Sequence, residues 1–87
     1  MLFQKIYQVV RKIPVGEIWT YGRVARMVGT TPRVVGFALH ANKDPKTPCH
    51  RVVFKDGSLA KNYAFGGERE QRRKLELEGV DFTGFKN

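Results

Sequence analysis

The chain has 87 residues, of which 41% are hydrophobic and 11% are aromatic, so we expect one compact domain that spans residues 1–87. Its 16 lysine and arginine residues outnumber its 8 acidic residues, and the net charge of +8 indicates a polyanionic partner such as nucleic acid. Its single cysteine excludes an internal disulfide and a cysteine-based zinc site. The lack of a long apolar run or a signal-peptide pattern predicts a cytoplasmic protein without a membrane span.

Helical periodicity begins close to the N-terminus. Apolar side chains recur at helical spacing over residues 3–10 and predict an amphipathic helix, which Pro14 and Gly16 bring to an end. Residues 17–19 are too few to classify by periodicity, and we expect them to form an extended link. The chain therefore reaches its second helix through a short connection.

A pair of short helices follows, joined by a tight turn. Thr20 can cap a helix over residues 21–28, because its hydroxyl can accept a hydrogen bond from a free amide of the first turn. Gly29 suits the left-handed end of that helix, and Thr31 can cap the next helix, which runs over residues 32–41. A helix, a glycine-containing turn and a second helix form the arrangement of a helix-turn-helix motif.

Basic residues are concentrated in this motif. Residues 18–43 contain no acidic residue and can face phosphates, whereas residues 68–78 mix acidic with basic residues and are typical of a solvated helix. Two aromatic residues near the motif, Trp19 and Phe37, are expected to pack within the fold rather than to stack on bases. The side chains that we expect to contact phosphates, as a group, are Arg23, Arg26, Lys43 and Arg51.

The second half of the chain alternates loops with short regular segments. Residues 42–48 contain two prolines and form a loop, and residues 52–54 are a short strand-like run. An Asp-Gly turn leads from that run into residues 59–60, which predicts a small β hairpin or wing. A glycine-containing loop over residues 63–67 precedes a charged helix over residues 68–78. The expected fold is mainly α, a winged-helix-like helix-turn-helix domain with a small β hairpin.

The most specific chemistry lies at residues 48–53, with the sequence PCHRVV. A histidine can activate a nearby cysteine, because the thiolate is the nucleophile and a free thiol has a pKa of about 8.5. Cys49 and His50 are adjacent in sequence, which does not by itself place them in contact. The same two residues could instead be a small buried cysteine that packs as a hydrophobe and a histidine bonded to the backbone.

Over nearly all of its length, the chain resembles the C-terminal DNA-binding domain of the O6-alkylguanine-DNA alkyltransferases. The segment PCHRVV matches the active-site motif of that family. Four further elements match in order and spacing: VGEIWTYG at residues 15–22, RVVG at residues 33–36 with Asn42, Asn62 with Tyr63, and Glu78 with Gly79.

The resemblance implies a catalytic role for three residues. Cys49 would accept the alkyl group from guanine O6 in a single, irreversible turnover. His50 would take the thiol proton through a water molecule, and Glu78 would orient His50. Without the resemblance, Glu78 would be interpreted as a solvated residue of a charged helix. No cofactor and no metal are expected.

The resemblance also implies how DNA is bound and opened. Tyr21 would rotate the target phosphate and assist the departure of guanine, Arg33 would fill the gap left by the flipped base, and Asn42 would brace the active-site loop. Flipping is needed because a thiolate cannot reach O6 of a stacked base in line. On the sequence alone, Tyr21 could be a core aromatic, Arg33 a phosphate contact and Asn42 a helix end. The DNA-binding residues predicted in this way are Tyr21, Arg23, Arg33, Asn42, Lys43 and Arg51.

The pocket for the flipped base follows from the same resemblance. Tyr21, Cys49, Val52, Tyr63 and Ala64 would line it, and the backbone carbonyls of Cys49 and Val52 would read the guanine amino group. Many active members of the family carry a serine after the tyrosine, whereas this chain has Ala64 there.

Three functions are compatible with these features. The first is a suicidal DNA repair alkyltransferase reduced to its catalytic domain, without the N-terminal domain of full-length members. The second is a non-catalytic alkyltransferase-like lesion sensor that recruits nucleotide excision repair; such single-domain relatives usually carry Trp or Ala at the position of Cys49. The third is a winged-helix transcription regulator, which would not explain residues 48–53. We favour the first, as a monomer whose partner is double-stranded DNA containing O6-alkylguanine.

Overall fold

The computed structural model of the chain describes residues 1–60 and 63–80. The elements in chain order are α1 (Leu2–Val10), β1 (Trp19–Thr20), α2 (Tyr21–Val28), α3 (Pro32–His40), a 3-10 turn (Cys49–Arg51), β2 (Val52–Val53) and α4 (Gly67–Leu77). This order confirms the mainly α fold. Within the described ranges, no helix is long and apolar enough to cross a membrane. Asn62, which contributes to the family resemblance, lies outside the described residues.

The helix-turn-helix pair begins and ends where its capping residues predict. The hydroxyl of Thr20 accepts a hydrogen bond from the backbone N–H of Arg23 at 3.0 Å, and α2 starts at the next residue. Gly29 closes α2 with a φ of +88°, a conformation that glycine adopts without a Cβ penalty. The hydroxyl of Thr31 accepts from the backbone N–H of Val34 at 3.3 Å and caps α3. Local side-chain chemistry therefore determines the turn.

The first three helices pack around a common apolar core. Ile6 of α1, Val24 of α2 and Val35 of α3 are fully buried, and each such burial contributes about 1.5–3 kcal/mol. The hydroxyl of Tyr7 also donates a hydrogen bond to the backbone carbonyl of Ala38 at 2.6 Å. This contact ties α1 to the buried side of α3, and the opposite side of α3 remains at the surface.

The β structure differs from the predicted hairpin. β1 and β2 form a parallel pair in which Trp19 lies opposite Val52. The Asp-Gly turn does form, with Gly57 at a φ of +85° and the N–H of Phe54 bonded to the carbonyl of Ser58 at 3.0 Å. In the described part of the chain, however, no second strand follows that turn.

Gln71 of α4 explains why the hairpin does not form. Its amide nitrogen donates to the carbonyls of His50 and Val52, both at 3.0 Å, and its amide oxygen accepts from the N–H of Ala60 at 2.8 Å. The side chain is fully buried between the two segments that a hairpin would pair directly. Leu59 meanwhile turns inward and packs with buried residues of β2 and α4. A side-chain amide therefore replaces the cross-strand bonds.

Candidate active site and DNA-binding face

A cavity of about 710 Å³ opens beside α3, and the side chain of Cys49 lies in its wall. Most of the wall is apolar or aromatic, a lining that can bury a small ligand while a few polar groups orient it. Three residues predicted for the base pocket line this cavity in addition to Cys49: Tyr21, Tyr63 and Ala64. The helix-turn-helix and the loop beyond β2 thus enclose one space with a thiol inside it.

Val52, also predicted for that pocket, has a different place. It is fully buried and is absent from the described lining of the cavity. Its carbonyl accepts a hydrogen bond from the amide nitrogen of Gln71 at 3.0 Å, and its N–H donates to the carbonyl of Cys49. The side chain of Val52 belongs instead to the apolar core that it shares with the first three helices.

Cys49 begins the 3-10 turn and is 4% exposed. Burial raises the pKa of its thiol, and the amide of Asn42, a backbone N–H and the charge of Lys74 each oppose that rise. The amide nitrogen of Asn42 lies 3.8 Å from the sulfur. The neutral thiol is therefore the resting form, and a nearby base is needed to generate the nucleophile.

His50 and Glu78 are brought together although 28 residues separate them. Nε2 of His50 lies 2.9 Å from Oε2 of Glu78, and the two side chains are 13% and 17% exposed. An ionised carboxylate only accepts hydrogen bonds, so Nε2 carries the proton and Nδ1 keeps its lone pair. Burial lowers the pKa of His50, which Glu78 raises in part, so the ring is a neutral base in a fixed orientation.

Arg51 does not have the position of a phosphate contact, and that sequence interpretation is corrected. Its Nε and Nη2 donate to the two carboxylate oxygens of Glu78 at 2.9 and 2.7 Å, and its Nη1 donates to the carbonyl of Ile13 at 2.8 Å. These bonds are the main reason why the pKa of Glu78 is lowered. The arginine side chain is only 13% exposed, so it acts inside the fold.

Asn42 is likewise buried, at 4% exposure, and has no surface for a direct DNA contact. Its side-chain oxygen accepts from the N–H of Asp44 and its nitrogen donates to the carbonyl of Asp44, both at 3.0 Å. This pair of bonds closes the loop that leads from α3 to Cys49. The geometry matches the bracing role implied by the family resemblance rather than membership of the DNA surface.

Tyr21 is the first residue of α2 and is 9% exposed. Its ring lies 4.9 Å from the ring of Phe54, centroid to centroid, which fixes it in the cavity wall. Burial, followed by the nearby Cys49, raises the pKa of Tyr21 to about 12. The phenol therefore keeps its proton at neutral pH and can donate a hydrogen bond to a ligand in the cavity.

The surface beside the cavity is basic. Arg33, near the start of α3, and Lys43, just after it, are exposed, as are Arg23 and Arg26 on α2. The guanidinium of Arg23 lies 4.2 Å above the ring of Trp19. Trp19 is buried as expected.

The expectation that Phe37 packs within the fold is wrong, because its side chain is 57% exposed and lines the cavity. The reason is its place on α3: it follows Arg33 by one turn and shares the outward side of the helix with it.

Two residues of the site were missed by sequence reasoning, Gln71 and Lys74. Gln71 precedes the buried Leu75 by one helical turn, so a polar residue on the apolar side of α4 was the available signal. Lys74 donates from Nζ to the hydroxyl of Tyr63 at 2.8 Å, and nothing in the local pattern distinguishes it from the other basic residues of α4. Both act on partners far away in sequence.

The chain is similar in sequence to known proteins over most of its length. Residues 1–80 match the family model described as the DNA-binding domain of 6-O-methylguanine DNA methyltransferase. Alkyltransferase-like protein 1 of Schizosaccharomyces pombe is 39% identical over 82 residues, which cover 91% of this chain and 76% of that protein. A methylated-DNA–protein-cysteine methyltransferase of Methanopyrus kandleri is 44% identical over 78 residues, 88% of this chain and 57% of that protein.

The fold is shared as well. The crystal structure of S. pombe Atl1 in complex with damaged DNA containing O6-carboxymethylguanine superposes with a TM-score of 0.80 at 31% identity, over 99% of this chain and 94% of that chain. The chain spans little more than half of the M. kandleri methyltransferase but most of the alkyltransferase-like protein. The matched sequence, the shared fold and the cysteine beside the second helix of the helix-turn-helix lead to one conclusion: the chain belongs to the 6-O-methylguanine DNA methyltransferase DNA-binding-domain family.

Proposed function

We propose that the protein binds duplex DNA through the α2–α3 face, receives a flipped O6-alkylguanine in the cavity and transfers the alkyl group irreversibly to Cys49. The observation that carries this proposal is the position of the Cys49 side chain in the wall of a cavity beside α3. The next residue, His50, is a neutral base held by Glu78. His50 and Glu78 line a second cavity that shares Tyr63 with the first, so the proposed transfer needs a water molecule to connect the thiol with its base.

The transfer forms one bond and breaks one. The sulfur of Cys49 attacks the alkyl carbon, an S–C bond forms, and the electron pair of the broken C–O6 bond stays on the guanine oxygen. The thiol proton passes to Nδ1 of His50 through water, while the phenol of Tyr21 gives its proton to the departing guanine. His50 then releases a proton to solvent and Tyr21 takes one up from solvent, so both side chains return to their neutral forms. The products are guanine and S-alkylcysteine. Since a thioether has no leaving route, each chain reacts once.

Binding to DNA would have two components. The net charge of +8 and the exposed arginines and lysine around α3 favour any duplex through phosphate neutralisation, which weakens as salt is raised. A modified guanine pairs poorly and needs less energy to flip, so a lesion adds affinity beyond that electrostatic part. The named complex of Atl1 with DNA containing O6-carboxymethylguanine supports a lesion duplex as the partner.

Lesion binding without transfer is the second candidate function, and two observations favour it. Ala64 lines the cavity where many active family members have a hydroxyl, and burial raises the pKa of the Cys49 thiol. The chain would then hold the flipped base and recruit nucleotide excision repair proteins. In either case we propose a monomer, because a lesion reader needs neither a palindromic site nor a dimer. We also propose that the protein acts in the cytoplasm.

The mass of the intact protein decides between transfer and sensing. After incubation with a duplex that holds one O6-methylguanine, the wild-type chain should gain one methyl group and then stop reacting. Cys49→Ser should gain nothing, because a serine hydroxyl is a much poorer nucleophile at neutral pH. It should still bind the lesion duplex, since flipping does not require the sulfur.

His50→Ala provides the mechanistic control. Loss of the base should slow the methyl transfer roughly 10²- to 10⁴-fold, the usual contribution of a positioned base. An unchanged wild-type mass with tight lesion binding would reject transfer and favour the sensor. Equal affinity for lesion and lesion-free duplexes at every salt concentration would reject both functions.

A further inference from the structure

Phe37 is an exposed aromatic residue on the side of α3 that carries the proposed DNA contacts. It is 57% exposed, although phenylalanine is usually buried in a small domain. It lines the cavity that contains Cys49, as Arg33 also does. Its ring therefore borders the space that would receive the flipped base in the proposed function, and it is not part of the buried core.

The ring of Phe37 is paired with Arg33. The guanidinium carbon of Arg33 lies 5.5 Å from the centroid of the Phe37 ring, within the range of a cation–π contact. The two residues are four positions apart on α3, so their side chains lie on the same face of the helix. An arginine on an exposed helix otherwise samples many rotamers, and the contact with the ring reduces that freedom.

Nucleobases are the chemical partner that fits this pair. The surroundings are basic, which brings a nucleic acid to the surface, and every base offers a flat π face to an aromatic side chain. The flipping of one base leaves its neighbours and its pairing partner with an unstacked face. An aromatic ring next to the arginine that enters the gap can cover such a face.

We propose that Phe37 and Arg33 enter the opened duplex as one stacked unit, in which Phe37 holds the Arg33 guanidinium and covers an unstacked base beside the flipped nucleotide. The inference rests on the duplex binding of the proposed function but is independent of alkyl transfer. It makes Phe37 a residue that determines lesion discrimination. Phe37 would have little effect on affinity for intact, lesion-free duplex, where all bases are stacked.

The test is a double-mutant cycle on lesion affinity. Phe37→Leu keeps an apolar side chain but removes the ring. It should weaken binding to an O6-methylguanine duplex roughly 5- to 20-fold, the lower part of the range for loss of one stacked base, because leucine retains an apolar contact. Affinity for lesion-free duplex should change by less than about twofold. In an Arg33→Ala background, the loss caused by Phe37→Leu should be much smaller, because a stacked unit is already broken.

Two controls make the cycle specific. Met27 is an apolar residue of α2 that is 51% exposed and has no aromatic ring. Met27→Leu should leave the affinities for the lesion duplex and the lesion-free duplex unchanged. Phe37→Tyr keeps the ring and should retain lesion discrimination. Quenching of 2-aminopurine placed next to the lesion should fall in Phe37→Leu and persist in Phe37→Tyr.

The outcomes separate this inference from the proposed function. Equal losses from Phe37→Leu on lesion and lesion-free duplexes would overturn the stacked unit while the wild-type protein still discriminates. Losses from Phe37→Leu and Arg33→Ala that simply add would also overturn it. A wild-type protein without any preference for the lesion would overturn the proposed function and this inference together.

Discussion

Arg51 can be tested directly, because the structure places it inside the fold, unlike the exposed basic residues of α2 and α3. Its guanidinium makes three hydrogen bonds inside the fold, two to the carboxylate of Glu78 and one to the carbonyl of Ile13. Arg51→Met keeps most of the length of the side chain but removes all three donors. Glu78 then keeps only His50 as a partner.

The expected loss of stability follows from the burial of the pair. The Arg51 and Glu78 side chains are 13% and 17% exposed, and breaking a buried ion pair on one side costs about 3–5 kcal/mol. The remaining contact with His50 and the residual exposure place the loss at the lower end, about 3 kcal/mol. For a domain of this size, that loss lowers Tm by about 12–24 °C. Arg51→Lys should recover only part of it, since an ammonium does not reproduce the bidentate geometry.

Urea unfolding at pH 7 measures this loss of stability. The salt dependence of DNA binding tests the alternative, that Arg51 contacts a DNA phosphate. Arg26→Met is the matched control, because Arg26 is exposed on α2 and is a candidate phosphate contact. Arg51→Met should lose stability and keep the wild-type salt slope. Arg26→Met should keep the free energy of unfolding within about 0.5 kcal/mol of wild type. It should reduce the slope of log affinity against log salt by about 1, the effect of losing one phosphate contact.

The opposite pattern would refute the structural assignment. If Arg51→Met unfolded at the wild-type urea concentration and bound DNA with a smaller salt slope, Arg51 would be a phosphate contact as its sequence position suggested. The ion pair with Glu78 would then contribute nothing measurable to the fold.

Three further predictions concern the DNA surface, the buried amide and the active-site base. Arg33→Ala should reduce discrimination for the lesion duplex more than Lys43→Ala does, and equal losses for both variants on both duplexes in binding titrations would reject a role in the gap. Gln71→Leu should destabilise the protein by about 2–4 kcal/mol, because three backbone groups lose their partner; the exposed Glu76→Leu should change urea stability little, and a similar effect of both would contradict the buried network. Burial lowers the pKa of His50 in the folded state, so its contribution to stability is present above the unfolded pKa of about 6.5 and is lost as pH falls through the folded pKa. Urea midpoints measured from pH 7.5 to pH 5 should therefore fall less in His50→Gln, and parallel curves would count against this sign.

Local chemistry was sufficient to predict the helix-turn-helix. Thr20 and Thr31 cap their helices with their own hydroxyls, and Gly29 takes the left-handed conformation that ends α2. These interactions join residues three or four positions apart, so the sequence carries them in full. The motif at residues 48–53 was less decisive, because a cysteine and a histidine that are neighbours in the chain need not be in contact, and the family resemblance was needed to favour a catalytic role.

The sequence by itself determined which residues are near the chemistry, and the tertiary structure decided what each of them does. Arg51 and Arg26 have identical side chains, but Arg51 binds the carboxylate of Glu78, 27 residues away, whereas Arg26 is exposed on α2. The hairpin was predicted from a real turn, yet Gln71 fills the space between its two segments. Phe37 was expected to pack within the fold, but it is exposed and lines the cavity. For Arg51 and the hairpin, the deciding energy comes from a partner on another element. Phe37 is exposed because other residues of α3, among them Val35 and Ala38, pack into the core. Local patterns along the chain do not record either kind of tertiary contact.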